Sequence, residues 1–372
     1  MSRPWDRWAI GELAAIRGAG QWRAPRDLDA AGPEGKLAPD GRPVVSFASN
    51  DYLGLTQHPE VIAAAHAALD RWGAGSGAAR LIVGSRPVHH ELEDALAGWK
   101  GSERAVLFPT GFAANLGVLS TFAGAETLVC SDELNHASII DGCRLSRADV
   151  GIYRHADVDH LATLVRGANG RRVVVVTDSV FSMDGDVAPL DAISSLCRDT
   201  GALLVLDEAH TVLGPEPDLD DIESLRIGTL SKTHGSLGGF VATNAPFADL
   251  LVNRARSYIF TTAPTPADTA ASLAATGILT SDEGEELRAR LRAHVDRLRP
   301  GHPSPIISVV CGEEHRALAA TDALLERGLL VPAIRPPTVA PGTSRLRVTL
   351  SAAHTPEQVD RLVTALHDLD LA

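Results

Sequence analysis

The chain has 372 residues, of which 45% are hydrophobic and 22% charged, enough to bury a large core divided between two lobes. Its net charge of −13, without any cluster of Lys and Arg, argues against a nucleic-acid partner. Charges near the N-terminus argue against a signal peptide, and no stretch is apolar enough to span a membrane. We therefore expect a cytoplasmic protein without a membrane partner.

Seven short β-branched runs alternate with helical patterns through the middle of the chain. The runs are RAVLF, ETLVCS, GIYR, RRVVVVTDS, GALLVLDEA, LRIGTL and GGFVAT. Helical spacing of apolar residues falls at 91–99, 112–122, 136–145, 158–166 and 190–198. The alternation predicts an α/β fold of three layers, with a mostly parallel sheet covered on both faces.

The pattern changes after about residue 282. A charged helix is followed by the run PIISVV, a second helix, strand pieces and a last helix, which together predict a smaller α+β domain. We expect an N-terminal segment over 1–48, a large domain over 49–281 and a small C-terminal domain over 282–372. No repeat or low-complexity tract divides the chain further.

Cysteine and lysine usage narrows the possible chemistry. Four cysteines lie far apart without CxxC spacing, which argues against disulfides and against a metal site: Cys130, Cys143, Cys197 and Cys311. The 34 Lys and Arg residues include only three lysines. Lys36 and Lys100 are expected to be solvated, so Lys232 is the candidate for chemistry that needs an amine.

Ligands of open parallel sheets collect at the carboxyl ends of the strands, so polar residues that follow apolar runs are candidates. The run LLVLDEAH ends at Asp207, with His210 three positions later. A buried carboxylate there needs a cationic partner. An aspartate that caps the next turn is an equally good explanation when this residue is taken alone.

The stretch TLSKTHGSLGG places Thr229 and Lys232 after a strand, in a turn rich in glycine. A lysine in such a turn can be an ordinary surface residue, or it can form a Schiff base with a carbonyl cofactor. Asp207 upstream favours the second reading. Pyridoxal 5'-phosphate (PLP) needs a lysine at its aldehyde and often a carboxylate at its pyridinium nitrogen.

Two further stretches complete the candidate site. FPTGFAANLGVL combines a strand end, Gly111 and Phe112 in a turn, and a helix start whose free N–H groups suit a phosphate. CSDELNHASIIDG puts His136 at another helix start, where an imidazole can stack on an aromatic ring. Helix capping by Asn135 and His136 is the alternative.

Together these stretches resemble the α-oxoamine synthases, a PLP-dependent family of fold type I, from about residue 23 to 366. The matching stretches are SNDYLGL, GAGSGAARLIVGS, PTGFAAN, DELNHASIIDG, TDSVFSMDGDVAPL, LDEAH, TLSKTHGSLGG, FTTAPTPA and AIRPPTVAPGTSRLRVTLSAAHT. Their order and spacing agree with the family over nearly the whole chain.

The resemblance implies a role for each matching residue. It implies that Lys232 binds PLP covalently, Asp207 pairs with the pyridinium nitrogen, His136 stacks on the ring and His210 reaches the phenolic oxygen. Around them it places Ser182 beside the cofactor, Thr229, Gly111 and Phe112 at the phosphate, Thr262 at the phosphate of the neighbouring subunit of a homodimer, and Arg347 and Asn50 at the amino-acid carboxylate.

The substrate follows from the stretch AIRPPTVAPGTSRLR. It resembles the biotin-biosynthesis branch of the family, which joins L-alanine to a pimeloyl thioester, carried by coenzyme A or by acyl carrier protein, with loss of CO2. The glycine C-acetyltransferase and 5-aminolevulinate synthase branches usually carry a YP pair where this chain has Arg335, Pro336 and Pro337. Those branches remain alternatives, as does an aminotransferase or lyase of the same fold.

Arg335 is the candidate for the distal carboxylate of a pimeloyl chain. A surface arginine before a Pro-Pro turn is the alternative explanation. Arg23 and Thr338 are further candidates for the same pocket.

Overall fold

The computed structural model of the chain describes residues 3–371. Positions 1, 2 and 372, which belong to the expected first and last segments, lie outside it. The strands, in chain order, are β1 (Leu28–Ala30), β2 (Glu34–Leu37), β3 (Arg42–Ser46), β4 (Arg104–Phe108), β5 (Thr127–Asp132), β6 (Asp149–Tyr153), β7 (Arg172–Asp178), β8 (Leu203–Asp207), β9 (Ser224–Thr229), β10 (Gly239–Thr243), β11 (Ile306–Gly312), β12 (Leu329–Leu330), β13 (Ala333–Ile334) and β14 (Ser344–Thr349).

Helices separate most of these strands. They are α1 (Pro4–Gly18), α2 (Pro59–Trp72), α3 (Pro87–Lys100), α4 (Gly111–Phe122), α5 (Ala137–Ser146), α6 (Val158–Arg166), α7 (Leu190–Thr200), α8 (Ala245–Arg254), α9 (Arg256–Ile259), α10 (Pro266–Leu279), α11 (Asp282–Leu298), α12 (Glu314–Glu326) and α13 (Pro356–Asp368). No helix within residues 3–371 is both long enough and apolar enough to cross a membrane.

Seven of the strands in the described part of the chain form one large sheet, in the order β4-β10-β9-β8-β7-β5-β6. β10 runs antiparallel to both of its neighbours, and the other pairs are parallel. These strands coincide with the seven β-branched runs. The predicted α/β fold with a mostly parallel sheet is confirmed.

Helices cover both faces of the large sheet because its strands are apolar on both sides. On β4, Val106 and Phe108 pack in a core with α4, whereas Ala105 and Leu107 pack in another core with α3. Successive side chains of a strand point to opposite faces, so one strand supplies both cores. Helices α5 and α8 lie on the α4 side, and α6 and α7 help to cover the other face.

The C-terminal part has its own sheet, β11-β14-β13, which packs with α11, α12 and α13 in a separate core. The sequence did not predict the antiparallel strands β1 to β3 near the N-terminus. They join this part of the molecule through β12, which pairs with β3 so that Leu329 lies opposite Val45. The boundaries after residues 48 and 281 stay a prediction.

Helix α1 buries none of its residues. Its side chains Trp5 and Trp8 are 77% and 59% exposed. The π-helical turn Arg80–Gly84 also presents apolar side chains, with Ile82 73% exposed. No other part of residues 3–371 covers these apolar side chains.

Candidate active site

The carboxyl edge of the large sheet gathers the candidate residues. Parallel strands end at the same edge, so the segments that follow them meet there. At or after the ends of β4, β5, β7, β8 and β9 lie, in that order, Gly111, His136, Asp178, Asp207 and Lys232. The fold therefore brings together residues that are more than a hundred positions apart in the chain.

Lys232 lies in the turn after β9, and its Nζ is 2.8 Å from Nε2 of His210. Burial lowers its pKa to about 8, although the nearby carboxylates of Asp207 and Asp178 oppose the shift. Gly235 closes the turn at φ 63°, where a Cβ atom would collide with the backbone of Thr56. The turn thus holds an amine that is partly neutral near physiological pH.

A continuous chain of hydrogen bonds runs from Lys232 to Arg347. Nδ1 of His210 is 2.5 Å from the hydroxyl oxygen of Tyr52, and this hydroxyl lies 3.2 Å from Oδ1 of Asn50. The same Oδ1 accepts a hydrogen bond of 3.2 Å from Nη2 of Arg347. His210, Tyr52 and Arg347 are buried, and burial lowers the pKa of His210 well below its ordinary value, so this imidazole is neutral.

Arg347 is held on three sides. Besides Asn50, its Nε donates to the carbonyl oxygen of Ser182 at 2.5 Å, and its Nη1 donates to Oγ1 of Thr349 at 2.9 Å. The arginine lies on β14 of the small sheet, whereas Ser182 follows β7 of the large sheet. The contact therefore joins the two parts of the molecule at the site.

Asp207 is 5% exposed and makes its hydrogen bonds to neutral donors. Its Oδ2 accepts from Nδ2 of Asn115 at 2.7 Å, and its Oδ1 accepts from the backbone N–H of Ala209 at 2.9 Å. The second bond is the turn cap that the sequence also allowed. No ion pair of Asp207 occurs among residues 3–371. A buried carboxylate that makes no ion pair is costly, and a bound cationic group would stabilise it.

The start of α4 lies against the end of β9. Gly111 and Phe112 are the first two residues of this helix, so the helix itself cannot satisfy their N–H groups. A Cβ atom on Gly111 would be 3.2 Å from Cβ of Thr229, which is a tight contact. The hydroxyl of Thr229 is 2.8 Å from that of Ser231. This corner combines free N–H groups with hydroxyls, as an anion site requires.

His136 is exposed and lies at the N-cap of α5. Its Nδ1 is 2.7 Å from the hydroxyl of Ser138, and its backbone N–H donates to Oδ2 of Asp178 at 2.8 Å. Although the residue as a whole is exposed, the protein around the imidazole shields it from part of the solvent, and this partial desolvation lowers its pKa. The ring of Phe112 meets it edge-on at 6.4 Å between centroids. The capping role is thus present, and it leaves the ring available for stacking.

Four of the predicted residues lie apart from this cluster. Arg23, Thr262 and Thr338 are exposed. Nη1 of Arg335 donates to the carbonyl oxygen of Gly20 at 3.0 Å and lies 3.8 Å from the carboxylate of Glu314. The roles predicted for these four residues stay predictions.

Known proteins match the chain over nearly its whole length. Residues 42–366 match the model of the family described as aminotransferase class I and II. The 8-amino-7-oxononanoate synthase of Alkalilimnicola ehrlichii is 49% identical over 375 residues, with 95% of each chain covered. That of Methylobacterium sp. is 47% identical, with 99% of this chain and 97% of the relative covered.

Solved structures extend the comparison. A serine palmitoyltransferase from S. paucimobilis with bound PLP and myriocin matches with a TM-score of 0.91 and 30% identity over the full length of both chains. The 8-amino-7-oxononanoate synthase of Francisella tularensis matches with a TM-score of 0.73 and 27% identity, covering 88% of this chain and 96% of its own.

The chain belongs to the α-oxoamine synthases. The predicted family and the PLP-dependent acyltransferase class are confirmed by these comparisons. PLP also fits the residues present in three respects. Lys232 offers an amine with a lowered pKa, Asp207 is a buried acid that makes no ion pair with the described residues, and α4 begins with N–H groups that have no partner within the helix, beside Thr229. Metal ligands are not grouped in the described part of this α-oxoamine synthase, since no cluster of three or more His, Cys, Asp or Glu occurs there.

Sequence reasoning missed three residues of this site. Asp178 ends the apolar run of β7, and the rule that selected Asp207 could have found it. Asn115 is an isolated amide in the apolar stretch GFAANLGVL, which is a weaker signal. Tyr52 lies within the family stretch SNDYLGL, but nothing in a single sequence distinguishes it from a core tyrosine.

The expectation that Lys100 is solvated is wrong. Its side chain is 4% exposed, and its Nζ lies 2.9 Å from Oε2 of Glu208. Arg226 contacts the other oxygen of this carboxylate at 2.6 Å. Lys100 ends an amphipathic helix, and only the packing of α3 against the sheet turns its last residue inward. Lys36 is exposed, as expected, and the four cysteines are free and buried.

Proposed function

We propose that the chain synthesises 8-amino-7-oxononanoate by condensing L-alanine with a pimeloyl thioester and releasing CO2. Relatives that are 46–49% identical over most of the chain carry that name. The observation that carries the proposal is the hydrogen-bonded chain between Arg347 and Lys232. It places a group suited to a carboxylate and an amine suited to proton transfer in one buried site.

Each residue predicted for the cofactor has a place in this proposal. When bound, PLP withdraws electrons from the amino-acid Cα and so stabilises a carbanion there. The residues that would hold it are Lys232 at the aldehyde, Asp207 at the ring nitrogen, His136 on the ring face, His210 at the phenolic oxygen, Ser182 beside the ring, Thr229, Gly111 and Phe112 at the phosphate, and Thr262 at the phosphate of the neighbouring subunit.

Arg347 orients the substrate. A guanidinium binds a carboxylate through two parallel hydrogen bonds, which fixes the direction of the amino acid as well as its position. The guanidinium donates to Ser182 at 2.5 Å and to Thr349 at 2.9 Å, whereas its contact with Asn50 is longer, at 3.2 Å. The Asn50 side of the guanidinium is therefore the side that can best exchange a protein contact for the substrate.

Lys232 and Asp207 handle protons at two different atoms. Lys232 has a pKa of about 8, so a useful fraction of its amine is neutral and able to take a proton from Cα. Asp207 accepts hydrogen bonds from Asn115 and Ala209, which fix its carboxylate. In that position it would hold the protonated ring nitrogen in an ion pair.

We propose that Arg335 binds the distal carboxylate of the pimeloyl chain. Arg23 and Thr338 are further candidates for the same pocket. The side chain of Arg335 is 23% exposed, and its contacts are a backbone carbonyl and a carboxylate 3.8 Å away. Such a cation is free enough to meet the distal carboxylate of a pimeloyl chain. An uncharged acyl chain would gain nothing from it.

We also propose a homodimer with shared sites, located in the cytoplasm. Support for the dimer comes from the exposed apolar residues of α1 and of the turn Arg80–Gly84, together with Phe260, which is 69% exposed two residues before Thr262. Thr262→Ala should weaken PLP binding, and mixing it with Lys232→Ala subunits should give hybrid dimers in which one shared site keeps both residues and binds PLP normally. The free cysteines are compatible with a reducing compartment.

A panel of amino acids crossed with thioesters, read by product mass, tests the proposed reaction. The expected result is 8-amino-7-oxononanoate, CO2 and free thiol from L-alanine and a pimeloyl thioester. Products from glycine with an acetyl or succinyl thioester would assign the chain to another branch of the family. A keto acid formed without thiol release would identify an aminotransferase and reject the proposal.

A further inference from the structure

Tyr52 connects the two halves of the hydrogen-bonded chain that crosses the site. It is completely buried, and its hydroxyl lies 2.5 Å from Nδ1 of His210 and 3.2 Å from Oδ1 of Asn50. Burial raises the pKa of the phenol, so the hydroxyl stays protonated. Among residues 3–371, Tyr52 is the hydrogen-bond partner of His210 Nδ1, and Lys232 is the partner of Nε2.

The number of available protons links these contacts. A neutral imidazole has one N–H and one acceptor nitrogen, and a phenol has one hydrogen to donate. Asn50 Oδ1 can only accept, and it already accepts from Arg347. The hydroxyl of Tyr52 must therefore donate either to Asn50 or to His210, and its choice decides which nitrogen of His210 carries the proton.

The charge of Lys232 selects between these two arrangements in the free protein. An ammonium group can only donate, so His210 must then accept at Nε2 and carry its proton on Nδ1. Nδ1–H donates to the oxygen of Tyr52, and the Tyr52 hydroxyl donates to Asn50. The short contact to Nδ1 and the longer contact to Asn50 are both satisfied in this arrangement.

Binding of the cofactor reverses the requirement at Nε2. With PLP bound, Lys232 would no longer offer the hydrogens of a free ammonium to Nε2, and the phenolic oxygen would be an acceptor. His210 can reach that oxygen only with a proton on Nε2, which leaves Nδ1 as an acceptor. Tyr52 is the residue that can donate to it, at the cost of the weaker bond to Asn50.

We propose that Tyr52 is a positioning residue that donates to Nδ1 of His210 when PLP is bound, and so keeps the proton of His210 on Nε2, facing the cofactor. The inference rests on the proposed contact of His210 with the phenolic oxygen. It assigns to Tyr52 a change of hydrogen-bond direction that accompanies the change at Lys232. The same change frees Oδ1 of Asn50 from Tyr52 and leaves it to Arg347 alone.

Nitrogen NMR of histidine-labelled protein tests this directly, because the shifts of Nδ1 and Nε2 report which nitrogen is protonated. His210 is assigned by the signals that disappear in His210→Gln. In the PLP-bound protein we expect a protonated Nε2 and a bare Nδ1. Below the pKa of Lys232, the protein without PLP should show the opposite tautomer. A protonated Nδ1 in the PLP-bound protein would overturn the proposal.

A matched pair of variants adds a second readout. Tyr52→Phe should weaken PLP binding about tenfold, because one buried hydrogen bond is lost and Nδ1 is left without a donor. Tyr153→Phe removes a hydroxyl that is equally buried, on the outer strand β6, and should leave PLP binding and the tautomer unchanged. Unchanged PLP affinity in Tyr52→Phe would contradict the assignment.

Neither readout uses L-alanine or a thioester, so the inference and the proposed reaction can fail separately. If Tyr52→Phe does not fold, the spectrum of the unmodified PLP-bound protein still decides the matter. A protein that shows the expected tautomer but makes no 8-amino-7-oxononanoate would reject the reaction and retain the role of Tyr52.

Discussion

Asp207 and Glu208 are adjacent buried acids on opposite faces of the large sheet, and the protein treats them differently. Glu208 is paired with two cations, Lys100 at 2.9 Å and Arg226 at 2.6 Å. Asp207 accepts hydrogen bonds from an amide and a backbone N–H and makes no ion pair among residues 3–371. A buried charge is costly unless it is compensated. The acid that the chain leaves uncompensated is the one that faces the cofactor site.

The two buried lysines give the largest test of this comparison. Lys232→Ala should abolish turnover and the absorbance of the bound cofactor, because the amine proposed to bind PLP is gone, and should not lower stability, because burial already disfavours its ammonium form. Lys100→Ala should keep the activity per folded molecule but lower the free energy of unfolding by about 3 kcal/mol, because Glu208 loses a buried partner. Absorbance, turnover and denaturant unfolding measure these effects. A coloured, active Lys232→Ala would end the assignment.

The acids themselves give the second test. Asp207→Asn should lower turnover on the order of 100-fold or more, because a preorganised charge opposite the ring nitrogen is lost. Its stability should fall by only about 1 kcal/mol, because the amide oxygen can still accept from the N–H of Ala209, whereas the amide NH2 cannot accept from Asn115. Glu208→Gln should show the reverse pattern, with a loss of about 3 kcal/mol in stability, because two buried cations lose their counter-charge. Equal effects of both changes on turnover would break the comparison.

The lowered pKa of Lys232 gives the third test. Below a pKa of about 8 the neutral fraction of the amine rises about tenfold per pH unit, and above it the fraction is constant. The rate of PLP uptake by the free protein, followed by stopped-flow absorbance, should show this shape. The folded state also releases this proton before the unfolded state does, so Lys232 adds stability as the pH rises from about 8 towards the ordinary lysine pKa of 10.5. A rate that levels off only near that ordinary value would contradict the burial argument.

The smallest expected effect concerns the acyl side. Arg335→Ala should reduce the preference for a pimeloyl thioester over an uncharged thioester of similar length by about tenfold or less, the worth of one partly exposed ion pair. Ratios of kcat/KM measure it. Arg316→Ala, which removes an exposed arginine of α12, serves as the control. If Arg335→Ala leaves this preference unchanged, Arg335 does not bind the distal carboxylate and is an ordinary surface arginine.

Much of the fold and half of the site could be predicted because both depend on local patterns. The seven strands of the large sheet are visible in the sequence as apolar runs. Asp207, His136 and Lys232 are polar residues that follow such runs. The four-stranded sheet was missed because β12 has only two residues and pairs with β3 across most of the chain. No local pattern records a pairing of that kind.

The sequence by itself determined the parallel sheet, the family and the choice of Lys232 as the proposed cofactor lysine, because apolar periodicity and short ordered motifs are properties of neighbouring residues. Only the tertiary structure decided that Lys100 is buried and that Tyr52 links His210 to Asn50. Whether a lysine is solvated, and which atoms a hydroxyl meets, depends on segments that are distant in the chain and close in space. The chain of hydrogen bonds from Lys232 to Arg347 connects the large sheet with the small sheet, so it forms only when the two sheets are packed together.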